Sequence, residues 1–182
     1  MALKPKADIV FANRRKHMAA RRFHRKVAPF LRDTFGQNPD RIAVIRDPEE
    51  QIRSWYKYRT RPERSQTDRD TSNLSFDEFV LDVISDEPSP AAGIGSQFRA
   101  LTSGRGQVLV HHLFAYEQQK TFRDFLSGRF EEEIVLKQRN VSPQVDAPLS
   151  EGVRKQLRQA RAAEIELYER VRDADGHLQT EI

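Results

Sequence analysis

Arg41-Ile42-Ala43-Val44-Ile45 passes without a linker into Arg46-Asp47-Pro48-Glu49-Glu50, and this junction constrains the fold more than any other feature of the chain. The apolar run reads as a strand of the kind buried in a parallel sheet, where helices cover both faces. Directly after it, Asp47 can cap free helix amides, Pro48 fits the first helical position, and Glu50 has the spacing of a capping box. Upstream, Asp8 to Ala12 is a second short apolar run, and Phe23, Val27, Phe30 and Leu31 follow helical spacing between about Met18 and Phe35. Pro29 is placed to kink that helix, and Gly36 and Pro39 to stop it. Strand, helix and strand make one crossover unit, so Asp8 to Ala12 and Arg41 to Ile45 are expected to be adjacent and parallel.

Later segments extend this α/β reading. Ile52, Trp55, Tyr56 and Arg59 continue the helix begun at Asp47, and Arg61 to Asn73 is expected to be a mobile surface loop or lid. Ser75 and Glu78 repeat the capping-box spacing ahead of a stripe formed by Phe76, Phe79, Val80, Val83 and Ile84. Gly93 to Ser96 opens a short helix, and Val108 to Val110 extends toward Phe114 as a third strand. A helix is expected from about Glu117 to Leu126, closed by Gly128, and Ile134 to Leu136 is a candidate fourth strand. One long helix is expected from Ser150 into Arg172, followed by a fraying tail.

With 182 residues, 37% hydrophobic and 32% charged, the chain reads as one domain with a heavily charged surface. No apolar stretch approaches the roughly 20 residues that span a bilayer, so no membrane span is expected and the cytoplasm is the expected compartment. Having no cysteine, the chain forms no disulfide and offers no thiolate nucleophile or metal ligand. The net charge of +4 conceals an asymmetry: no acidic residue lies between Asp8 and Asp33, while Arg14, Arg15, Lys16, Arg21, Arg22, Arg25 and Lys26 accumulate there. Such a run fits an anionic partner or a solvated helix face.

Arg46 leaves the carboxyl end of a strand, the edge at which ligands collect in open α/β sheets, and Ser54 lies two helical turns later. An arginine fork supplies paired charge-assisted bonds to a phosphate, and a serine hydroxyl adds a compact donor. His17 is the candidate acid or base, because a near-neutral imidazole can take a proton from a hydroxyl. His111 and His112 should point to opposite faces of a strand, and His24 is poorly placed to share a metal with His17, so no metal site is expected. Trp55, Tyr56 and Tyr58 offer either stacking surface or core packing, and Glu117 reads either as support for the phosphate region or, by default, as a favourable helix start.

An Arg, seven intervening residues and a Ser, with Asp-Pro after the Arg, resembles the 3′-phosphate-binding pattern of sulfotransferases. Lys16-His17, Tyr116-Glu117, Arg139-Asn140-Val141-Ser142-Pro143 and Glu166-Leu167-Tyr168 are similar, in that order, to landmarks of bacterial and Golgi-type members of the family. The resemblance implies a three-layer parallel sheet flanked by helices, related to the phosphate-loop nucleotide-binding fold. It also implies a sulfuryl transfer from 3′-phosphoadenosine 5′-phosphosulfate to a hydroxyl or amine acceptor, carbohydrate or otherwise anionic acceptors included. Arg46, Ser54 and Arg139 would then hold the adenosine bisphosphate nucleotide and His17 would activate the acceptor. The family's phosphate loop should precede Asp8, and no Gly-x-x-x-x-Gly-Lys-Ser/Thr sequence occurs in residues 1–182. Either that element lies upstream or the chain lacks it, which leaves open an inactive nucleotide-binding relative. A kinase-like phosphotransferase is a further reading that needs the same loop. A basic nucleic-acid-binding module is the rival outside this group, and would show strong salt dependence with little preference for a 3′-phosphate.

Overall fold

Ile42–Ile45 forms strand β1 and Pro48–Arg59 forms helix α3 in the computed structural model of the chain, which describes residues 18–64, 67–135 and 143–182. The expected strand Asp8 to Ala12, and with it the first crossover, lies outside the described residues. Ahead of β1 come α1 (Ala20–Arg22), a π-helical segment (Phe23–Val27) and α2 (Ala28–Phe35). The wider turn sits just before Pro29, whose ring would clash with the carbonyl four residues back in a regular helix; Ala28 N–H instead bonds to the Phe23 carbonyl. Gly36, at φ 62°, ends α2 and returns its N–H to Arg32, as a left-handed cap requires.

After α3 come α4 (Phe76–Val83), α5 (Gln97–Leu101), β2 (His112–Ala115), α6 (Gln119–Phe130), α7 (Glu151–Ala160), α8 (Ala162–Asp173) and β3 (His177–Gln179). The fold is mixed α/β. Its sheet has the order β1-β2-β3, with β1 and β2 parallel and β3 antiparallel to β2, which corrects the expectation of an all-parallel sheet. Gly176 explains how the tail, expected to fray, returns as β3. It turns at φ 77° against Gln118, and a Cβ there would collide with that side chain.

The strand buried on both faces is β2, not β1: all of His112–Ala115 is buried, whereas Ile42 and Val44 remain exposed on the sheet edge. Val108 to Val110 precede β2 as a buried extended segment bridged to Thr102. Ile134 and Val135 belong to no strand, and Val135 is exposed. The long terminal helix is divided at Arg161, so that α7 packs on α4 while α8 packs on β2. The Arg161 guanidinium fixes the break by donating to the Val83 carbonyl and to Glu164. The expected lid is anchored at its far end, because Thr71 is fully buried and its hydroxyl donates to the Tyr56 carbonyl.

Two apolar clusters result. One joins Ile52 and Tyr56 of α3 to Phe79 and Val80 of α4 and Leu157 of α7. The other joins Ile45 and Leu113 of the sheet to Leu167, Tyr168 and Val171 of α8. Tyr56 therefore belongs to the core, with its hydroxyl donating to the Leu74 carbonyl, and Trp55 packs at the edge of the same cluster.

His112 and His177 meet across β2 and β3, Nδ1 to Nε2 at 3.0 Å, and His177 stacks on Phe114. Burial first, and then His112, hold the His177 imidazole below its ordinary pKa. Since the folded state prefers neutral His177, the stability it contributes is complete above the unfolded value near pH 6.5 and is lost as pH falls below it. Urea midpoints are expected to be flat above about pH 7 and to fall below about pH 6.5. His177→Phe should reduce that acid slope while keeping the stack. An unchanged slope would assign the loss to other groups.

Candidate functional site

Arg46 sits where β1 ends and α3 begins, and its backbone is held on both sides by one amide. Its N–H donates to Gln97 Oε1 at 2.9 Å, and its carbonyl accepts from Gln97 Nε2 at 2.9 Å. Gln97 is held in turn by Glu164, a buried carboxylate of α8 that accepts from the Gln97 N–H at 3.0 Å and from the Ser96 hydroxyl at 2.6 Å. The end of β1, the start of α5 and α8 thus share one polar network. Gln97 and Glu164 went unmarked in the sequence, where the only signal was the Ser96 cap position.

The Arg46 guanidinium lies 4.9 Å from the centre of the Tyr116 ring. Its nearest carboxylates are Glu117, 3.9 Å from Nε, and Glu50, 4.0 Å from Nη2. Both distances exceed hydrogen-bond range, and the buried Nε has no hydrogen-bond partner among the described residues. The side chain keeps 30% of its surface open to solvent. Arg46, Glu50 and Ser54 follow one another at one-turn intervals, with Ser54 half-buried on α3. The geometry therefore puts a carboxylate between the two expected phosphate donors. Arg53 Nε binds the same Glu50 carboxylate at 2.8 Å and draws part of its charge away from Arg46.

Asp47 caps α3 as expected, accepting from the Glu50 N–H at 3.0 Å. The reciprocal half of the capping box comes from elsewhere: the Asp47 N–H donates to Glu117 Oε1 at 3.1 Å, while Glu50 turns toward the arginines. Glu117 does not start α6, which begins at Gln119; it is a bridge that also accepts from the Tyr168 hydroxyl at 3.1 Å. Burial, then the Glu117 carboxylate, pushes the Tyr168 phenol up to about 12. Asp47 is held above the ordinary carboxylate range, mainly by burial.

His17, Arg139, Asn140 and Ser142 lie outside the described residues. The remaining histidines are occupied in separate places. His24 Nδ1 stands 2.9 Å from Arg41 Nη1, and His111 Nδ1 accepts from the Arg41 N–H at 2.9 Å. His111 precedes β2 and His112 lies on it, and the two rings engage different partners, the Arg41 backbone and His177. Burial and the Arg41 charge hold His111 below its ordinary pKa. Among the described residues, no helix is long and apolar enough to cross a membrane. The chain matches no known protein family, no curated protein and no solved structure.

Proposed function

We propose that Arg46 and Ser54 hold the 3′-phosphate of a phosphoadenosine nucleotide in a sulfotransferase-like protein. Its reaction would pass a sulfuryl group from 3′-phosphoadenosine 5′-phosphosulfate to a hydroxyl or amine acceptor. The observation that carries this reading is the state of Arg46, whose backbone is clamped by Gln97 at a strand's carboxyl end while its Nε lacks a hydrogen bond among the described residues. A phosphate arriving there has no arginine–carboxylate hydrogen bond to break, because Glu50 and Glu117 stand 4.0 and 3.9 Å away. The Asp47-Pro48 helix start and the Arg-Ser spacing support the same reading. The two carboxylates favour a second one, in which Arg46 is a structural cation that balances Glu50 and Glu117.

Calorimetric titration separates the two. Adenosine 3′,5′-bisphosphate should bind more tightly than adenosine 5′-monophosphate, and Arg46→Ala should weaken the bisphosphate by about one to two orders of magnitude with little effect on the monophosphate. Ser54→Ala removes a neutral donor and should cost about 1 kcal/mol. Equal affinities for the two nucleotides in the unmutated protein would overturn the phosphate reading and leave the structural one.

A further inference from the structure

We propose that the outward side of α1, the π segment and α2 docks on an anionic lipid bilayer, with cations at its start meeting the headgroups and two phenylalanines at its end entering the acyl layer. Val27, Ala28 and Leu31 bury the inward side of this stretch, whereas Phe30 and Phe35 keep 56% and 58% of their surface in water. Large apolar side chains grouped in water mark an interaction surface rather than a core. The two rings pack edge to face, with 5.6 Å between centres and 82° between planes, and so form one apolar knob.

The charge beside this knob has the sign that a bilayer of acidic lipids attracts. Arg21, Arg22, Arg25 and Lys26 are exposed, and none forms an ion pair with a described carboxylate. Arg22, Lys26 and Phe30 recur at four-residue steps, which leads the cationic strip toward the knob. Arg99 joins from α5, where it borders the same hollow as these four cations. Asp33 is the acidic residue of the stretch, and Arg32 binds it at 3.0 Å, so that pair is neutral and leaves the charge of the other four standing. A basic helix face that carries phenylalanine has the composition that settles at the boundary between headgroups and acyl chains. Single-stranded nucleic acid stacks its bases on open ring faces, but here the edge of one ring covers a face of its partner, which favours the bilayer. The inference stands on this surface alone and does not depend on the nucleotide reading of Arg46.

Co-sedimentation of the full chain with vesicles tests it, comparing phosphatidylcholine alone with phosphatidylcholine carrying about 30% phosphatidylserine. Binding to the mixed vesicles is expected at about 0.1 M salt, weaker at about 0.5 M, and at least about tenfold weaker on phosphatidylcholine alone. Arg25→Glu and the double substitution of Phe30→Ala with Phe35→Ala should each weaken it by about tenfold or more. Phe130→Ala, which removes a comparably exposed ring from α6, should change it less than about twofold. Phe30→Trp, at a position already in water, reads insertion directly and decides the matter if Arg25→Glu lacks the native circular-dichroism spectrum. Its emission should be quenched by lipids brominated in the acyl chain beyond the quenching of Trp55 in the unmutated protein. No binding to the mixed vesicles, equal losses in the double variant and Phe130→Ala, or no added quenching in Phe30→Trp would overturn the proposal. An oligothymidylate whose binding falls as far in the double variant as vesicle binding does would assign the surface to nucleic acid instead.

Discussion

Replacing Glu164 with alanine is expected to cost about 3–5 kcal/mol of folding stability, the usual consequence of breaking a buried charged network from one side. The carboxylate is 3% exposed and accepts from the Ser96 hydroxyl, the Gln97 backbone N–H and, at 3.3 Å, the Arg161 guanidinium. Alanine would leave those half-buried donors without this acceptor, and each group that water cannot reach adds its own desolvation cost. Glu164→Gln keeps the shape and one acceptor oxygen, so it should cost less than alanine. Urea denaturation of both variants measures this. A loss under about 1 kcal/mol for Glu164→Ala would show that the network carries little of the stability. The same substitution bears on the site, because Gln97 would lose the group that orients it toward the Arg46 backbone. Bisphosphate affinity should then fall in Glu164→Ala even though Glu164 does not contact the Arg46 side chain.

Phe79→Ala should be comparably severe, at about 3–5 kcal/mol, since it combines lost burial with a cavity that its neighbours cannot fill. Phe79 is fully buried, and its ring lies 5.6 Å from Tyr56 within the cluster that joins α3, α4 and α7. Tyr56 is pinned through its hydroxyl to the Leu74 carbonyl and cannot move in to close the gap without giving up that bond. Phe79→Leu, which restores most of the volume, should recover more than half of the loss in the same denaturation experiment. If leucine and alanine cost the same, specific aromatic packing rather than cavity size would set the penalty.

Local signals survived the comparison of sequence with structure wherever their physics is local. The Asp47 and Ser75 caps, the Gly36 stop and the apolar stripe of α4 need only neighbouring residues, and each appears where the spacing put it. The π turn before Pro29 shows the same principle, because a missing N–H and a ring clash act within one turn. Pattern alone misjudged the terminal helix: the apolar positions continue through Arg161, but α7 and α8 serve different partners and must change direction between them. Of the two readings of Glu117 the helix start fails for a related reason, since a glutamate just ahead of a helix looks like a favourable start until Asp47 and Tyr168 come within reach.

The candidate site divides in the same way. Arg46 and Ser54 were legible because a strand end followed by a capped helix determines their spacing. The carboxylates that face Arg46 from α3 and from the end of β2, the Gln97 clamp and the buried Glu164 behind it were not, because these partners lie many residues apart and meet only when the strands pair. The sequence by itself determined a strand passing into a capped helix, with an arginine at the junction and a serine two turns on. Only the tertiary structure decided that β2 rather than β1 is the covered strand and that the tail returns as β3. It also brought Arg99 to the basic helix, since burial and long-range polar pairing depend on which elements pack together, and no local spacing encodes that choice.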